Sequence, residues 1–112
     1  MDGGSNSSDA GGPGIRVVHD REQDRFEVVL DGLTAVLDYV LVGKTMIIKH
    51  TGVPAELEGK GVGSALARTA LDYVRDNGLV AAPMCPFVRA YIRRHPEYLD
   101  VVGFGERGDR LG

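Results

Sequence analysis

The hydrophobic pattern of this 112-residue chain changes its period once, near the middle. Before residue 52, apolar and polar residues largely alternate, as they do in half-buried β-strands. After residue 61, apolar residues recur every three or four positions, as they do along one face of an amphipathic helix. A chain of this length forms one domain. The pattern therefore predicts an α+β fold in which an antiparallel β-meander precedes a β-α-β-α unit.

The first half divides into four strands joined by short turns. We place these strands at residues 15–18, 25–30, 34–42 and 45–51. Residues 19–24, between the first two strands, have the composition of a polar turn.

The second half contains the helical pattern. The apolar stripe begins at Val62, and Asn77-Gly78 is a typical helix stop. Residues 79–82 predict a buried fifth strand, and residues 87–94 predict a second helix that ends before Pro96. A regular crossover makes the fourth and fifth strands parallel.

Both ends of the chain differ from the middle. Residues 1–14 are nearly all Gly, Ser, Asp, Asn and Pro, a composition that cannot bury apolar area. We therefore expect a flexible N-terminal tail over residues 1–14, a folded domain over residues 15–102 and a loose C-terminal tail over residues 103–112.

Charge and composition exclude several classes of function. The net charge of −3 argues against nucleic acid as the main partner, because such proteins carry a basic face. No apolar run has the length of a membrane span, and no basic-then-apolar leader begins the chain, so we expect a cytoplasmic protein. One cysteine allows no internal disulfide, and the three histidines lack the spacing of metal ligands, so we expect no metal site.

The segment Glu58-Gly-Lys-Gly-Val-Gly63 lies between the fourth strand and the first helix. Its alternate glycines let a ligand approach the backbone closely, and the helix directs unpaired N–H groups and its positive dipole end into the loop. Such a site binds anions, most often phosphates. The alternative is a merely flexible connection. The spacing fits neither a P-loop nor a dinucleotide fingerprint.

The residues around this loop resemble a known family. Residues 53–66 (VPAELEGKGVGSAL) are similar to motif A of the GCN5-related N-acetyltransferases, whose signature is Arg/Gln-x-x-Gly-x-Gly/Ala. Gly61 and Gly63 fill both small positions, whereas Glu58 stands where Arg or Gln is usual. His50-Thr-Gly-Val-Pro54 and residues 83–98 resemble a compact subfamily without the helices that larger relatives insert after the first strand.

This resemblance implies a ligand and an activity. Acetyl-CoA or CoA would bind with its pantetheine arm between the fourth and fifth strands. The acetyl group would pass to an amine, and the resemblance does not identify that acceptor. The other hypothesis is a CoA-binding or protein-interaction module without catalysis. Glu58 favours this second hypothesis, because a carboxylate beside the pyrophosphate would weaken cofactor binding. The residues implied in pyrophosphate binding are Glu58, Gly59, Lys60, Gly61, Val62, Gly63 and Ser64.

Three residues are candidates for the chemistry. Cys85 precedes Pro86, and because proline favours the first helical position, the sulfur would lie at a helix N-cap, where the dipole favours the thiolate. The resemblance makes Cys85 an active-site residue and an acetyl-cysteine one hypothesis. In the other, an amine attacks acetyl-CoA directly, with His50 as the base. Tyr91 lies near the position where larger family members carry a tyrosine acid.

Each candidate also has a purely structural interpretation. A lone cysteine after an apolar strand is often a small buried hydrophobe. His50 could be a surface residue at a strand end. Tyr91 shares a helix face with Phe87 and Ala90, so it could belong to the core.

Overall fold

The computed structural model describes residues 15–103, which form one sheet and two helices. The strands are β1 (Val17–Asp20), β2 (Arg25–Leu30), β3 (Leu33–Val42), β4 (Thr45–Gly52) and β5 (Val80–Pro83). The helices are α1 (Val62–Asp76) and α2 (Pro86–Arg94), with 3-10 segments at Ala55–Leu57 and Pro96–Val101. The expected tails lie outside the described residues, except for Gly103. No helix in the described part is long and apolar enough to cross a bilayer.

The sheet confirms the predicted α+β architecture. Its strand order is β1-β2-β3-β4-β5, with the first four strands antiparallel to their neighbours and β5 parallel to β4. Helix α1 makes the crossover from β4 to β5. Beyond β5, Val102 forms one more parallel bridge, to Ala81.

The core lies between the helices and one face of the sheet. Val28 and Leu37 are fully buried on this face, and they belong to one cluster with Leu66 of α1 and Ile92 of α2. Each such side chain contributes about 1.5–3 kcal/mol when it leaves water. By contrast, Val29, the neighbour of Val28 along β2, is 65% exposed. In the described residues, the helices therefore cover one face of the sheet and leave most of the other open.

The polar turn predicted over residues 19–24 is wrong at its first two positions, because His19 and Asp20 belong to β1. The His19 ring stacks on Phe26 with centroids 4.0 Å apart, and its Nε2 shares a 2.5 Å hydrogen bond with the Tyr39 hydroxyl. Tyr73 of α1 meets the same ring edge-on. Burial lowers the pKa of His19 and raises the pKa of Tyr39 to about 12. Tertiary packing thus draws a polar residue into the strand.

A β-bulge interrupts the pairing of β3 with β4. Asp38 opposes His50, but the next residue, Tyr39, opposes Ile48, so Lys49 is an extra residue on β4. An extra residue changes which face the following side chains occupy. The bulge lies just before the part of β4 that reaches the candidate site.

Candidate functional site

The parallel strands β4 and β5 separate before β4 ends. Their pairing stops at Ile48 and Pro83, and the Met84 amide then donates to the Ile48 carbonyl at 3.0 Å. From there β4 continues to Gly52, whereas the other chain enters α2 at Pro86. The two segments therefore leave an opening beside the last residues of β4.

The first turn of α1 lies next to this opening and has free backbone donors. Gly59 and Gly61 have φ values of +83° and +85°, a region that costs other residues about 1–2 kcal/mol. Gly61 is the N-cap, no side chain caps the helix, and the first turn holds no acidic residue. The first intrahelical bond runs from the Ala65 amide to the Gly61 carbonyl at 3.0 Å. The amides of residues 62–64 thus remain available to an anion.

A cleft of about 650 Å³ joins the helix N-terminus to the end of β4. Its size is usual for a small-molecule site. Six of the seven residues predicted to bind pyrophosphate line it, and Lys60 does not, although it lies on the exposed surface of the same loop. The lining residues are Thr51, Gly52, Val53, Leu57, Glu58, Gly59, Gly61, Val62, Gly63, Ser64 and Phe87.

Phe87 lines the cleft beside the first turn of α1. A Cβ atom on Gly63 would lie 2.8 Å from Phe87 Cζ, so the ring rests directly on the first turn of α1. Gly63 is required for this close approach. The sequence pattern places Phe87 on a helix face, and nothing in that pattern indicates its position in the cleft.

Cys85 lies at the inner side of the opening. It is the N-cap of α2, with Pro86 in the first turn, as the Cys-Pro order predicts. Its thiol donates to Thr51 Oγ1 at 3.3 Å, and the side chain is buried. Since Thr51 lines the cleft, the sulfur lies immediately behind the wall that β4 contributes.

His50 precedes two cleft residues on β4 but does not itself line the cleft. The residue is exposed, and its ring lies along the strand toward Gly52, such that a Cβ atom on Gly52 would be 3.1 Å from His50 Nε2. Gly52 itself lines the cleft. The imidazole therefore lies beside one cleft residue, Gly52.

The structure does not bring Tyr91 to the cleft. The residue is buried, and its ring stacks on His95 with centroids 4.1 Å apart. Burial raises the pKa of Tyr91, which keeps its hydroxyl protonated. Tyr91 packs in the core between α2 and the following 3-10 segment, and it takes no step in the reaction proposed below.

A meander joined to a β-α-β crossover, with its parallel strands open beside a helix N-terminus, is the architecture of acetyltransferase-like domains. The model of the GCN5-related N-acetyltransferase family matches residues 25–101. The chain belongs to this family.

Relatives support this assignment in sequence and in structure. Protein NATD1 of Mus musculus is 41% identical over 95 residues, which cover 80% of this chain and 86% of the mouse protein. Protein NATD1 of Homo sapiens is 40% identical over 91 residues, covering 77% and 80%. The solution structure of a GCN5-like protein from Staphylococcus aureus, described as an N-acetyltransferase candidate, matches with a TM-score of 0.64 at 28% identity, covering 80% of this chain and 90% of that one.

Proposed function

We propose that this protein binds acetyl-CoA and transfers its acetyl group to an amine. The observation that carries the proposal is the continuity of the cleft, which runs from the open amides at the start of α1 to the opening between β4 and β5. Acetyl-CoA would occupy both ends of this cleft at the same time, because an extended arm joins its pyrophosphate to its thioester.

The pyrophosphate end consists mainly of backbone. The amides of residues 62–64 and the helix dipole attract the phosphates, and the absence of side chains at the left-handed glycines lets the phosphates approach the loop backbone closely. The Glu58 carboxylate lines the same end and opposes an anion, whereas the exposed Lys60 ammonium can approach it from the loop. We expect the amides to provide most of the affinity.

The thioester end allows two routes. In the covalent route, the Cys85 thiolate attacks the acetyl carbonyl, the bond between that carbon and the CoA sulfur breaks, and an amine then displaces Cys85. In the direct route, the amine itself attacks the thioester and His50 accepts its proton. The contact of Cys85 with Thr51 supports the first route, and the position of His50 beside Gly52, which lines the cleft, supports the second.

A second candidate is a module that binds CoA without catalysis. Glu58 in the cleft wall favours it, since a carboxylate beside the pyrophosphate weakens cofactor binding. Burial of Cys85 also favours it, because a nucleophile must reach its substrate.

A calorimetric titration with acetyl-CoA, followed by an assay for released CoA thiol, separates the candidates. We expect a dissociation constant on the order of micromolar, usual for enzyme substrates, and CoA release that increases when primary amines are added. Binding without amine-dependent release would support the non-catalytic module. Absence of binding up to millimolar ligand would contradict both.

A further inference from the structure

The backbones of β4 and β5 separate beyond Ile48 and Pro83, but two side chains meet across the gap between them. Thr51 opposes Leu37, which is fully buried on the face of the sheet that the helices cover. On that face the Cys85 thiol donates to Thr51 Oγ1 at 3.3 Å. No further atom fits between a sulfur and an oxygen at this distance, so the two side chains form a continuous barrier across the opening.

The space behind this barrier is filled by the hydrophobic core. Cys85 is only 5% exposed, and it belongs to the same buried cluster as Leu57 and Val88. Protein interiors are packed as densely as organic crystals, so a group that extends past the sulfur must displace core side chains. Thr51, in contrast, lines the cleft. The Thr51–Cys85 pair therefore separates the cleft from the core.

The pair presents no charge to the cleft. Thr51 carries a methyl group and a hydroxyl, and a thiol that donates a hydrogen bond is uncharged. The methyl group of an acetyl thioester suits such a surface. A longer acyl chain suits it equally well in chemistry but needs room that the core behind the sulfur does not leave.

We propose that Thr51 and Cys85 are specificity-determining residues, which limit the acyl group of the donor to a short one such as acetyl and exclude butyryl and longer chains. The limit comes from the volume of the two side chains and not from the hydrogen bond between them. The proposal rests on the proposed function, since it takes the opening as the site of the thioester. It applies to the covalent route and to the direct route alike.

The first test needs no cofactor. Because alkylation requires access to the sulfur, iodoacetamide should modify Cys85 at least about tenfold faster in Thr51→Ala than in wild-type protein. Thr51→Val is the matched variant, since it removes the hydroxyl and keeps the volume, and its rate should stay close to that of wild type. Equal rates in all three proteins would overturn the barrier. Equal acceleration in Thr51→Val and Thr51→Ala would overturn the role of volume.

The second test compares acetyl-CoA with butyryl-CoA by calorimetry. Wild-type protein should bind butyryl-CoA at least about tenfold more weakly, since one methylene in a closed pocket already changes selectivity by about that factor. Thr51→Ala and Cys85→Ala should each bring the two affinities to within about threefold of each other, because each creates space at the barrier. Thr51→Val should retain the wild-type ratio. So should Thr34→Ala, which makes the same threonine-to-alanine change on an exposed part of β3 outside the cleft lining.

Equal wild-type affinities for the two thioesters would overturn the proposal and leave the proposed function standing. The wild-type ratio in both Thr51→Ala and Cys85→Ala would do the same. If the protein binds neither thioester, the proposed function fails and the limit on the acyl group fails with it. The alkylation rates then still decide whether Thr51 covers the sulfur.

Discussion

The two ends of helix α1 are built in opposite ways. At its last turn, the Arg75 guanidinium donates to the Glu97 carbonyl at 2.7 Å and to the Asp100 carboxylate at 2.6 Å. At its first turn, Gly61 offers no side-chain cap, and no acidic residue compensates the dipole. One end is thus fixed by polar side chains, and the other leaves its donors free.

The contrast between the two ends of α1 suggests that one end contributes mainly to stability and the other mainly to ligand binding. The Tyr98 hydroxyl, which donates to Asp72 at 2.6 Å, adds a further polar contact between α1 and the C-terminal 3-10 segment. Removing contacts at this end should alter the free energy of unfolding and leave the cleft intact. Changes at the glycine end should alter ligand affinity more than stability.

The largest expected effect is at Gly63. In Gly63→Val, the new side chain displaces Phe87 and blocks the first-turn amides, so we expect acetyl-CoA affinity to fall at least about 100-fold, or roughly 2.7 kcal/mol. Calorimetry measures this loss. The matched control is Arg68→Val, which places the same β-branched residue on the exposed side of α1. Retained affinity in Gly63→Val would remove the helix N-terminus from the binding site.

The next effect tests the fixed end. Tyr98→Phe deletes the hydroxyl that donates to Asp72, and we expect a loss of about 1 kcal/mol in the free energy of unfolding, since the half-exposed carboxylate can be rehydrated. Urea denaturation measures the loss, and acetyl-CoA affinity should stay within twofold of wild type. A large change in affinity would show that the two ends are coupled through the helix.

A smaller effect concerns pH and the ring of His19. Burial lowers the pKa of His19 in the folded protein, so the unfolded chain binds the proton more readily. Stability is therefore full above the ordinary histidine value of about 6.5 and declines as the pH falls through it. Unfolding free energies at pH 7.5 and 5.5 should differ more for wild type than for His19→Gln. Equal differences would contradict the lowered pKa of the half-buried His19.

The smallest effect is expected from Arg75→Gln. The pair with Asp100 is largely exposed, so its loss should cost about 0.2–1 kcal/mol at low salt and less at high salt. Denaturation at two ionic strengths measures this dependence. A loss well above this range would mean that the bond to the Glu97 carbonyl is the more important contact.

Much of the fold followed from local patterns. The predicted second strand coincides with β2, and the helix start at Val62 and the stop at Asn77-Gly78 agree with α1, because caps and periodicity are local signals. His19 was misplaced because its partners are distant in sequence. The bulge at Lys49 was not visible, since residues 47–51 fit an unbroken strand equally well.

The candidate site was predictable only in part. The spacing of the loop glycines predicted their place in the site, and the position of Cys85 before proline predicted its place at the N-cap of α2. Phe87 and Thr51 were missed, because an aromatic at the start of a helix and a threonine in a strand are ordinary in sequence. Only the packing of α2 against α1, and the separation of β4 from β5, gives them a role.

The single residue Lys49 has a further consequence for how this site is encoded. Successive residues of a strand point alternately to its two faces. The bulge adds one residue to β4, so the face that even-numbered residues occupy before Lys49 is occupied by odd-numbered residues after it. Before it, even-numbered residues such as Ile48 face the helices, and after it the odd-numbered Thr51 does. An unbroken strand of the same sequence would exchange the faces of His50 and Thr51, whereas deletion of Lys49 would remove the bulge and leave both residues on their present faces.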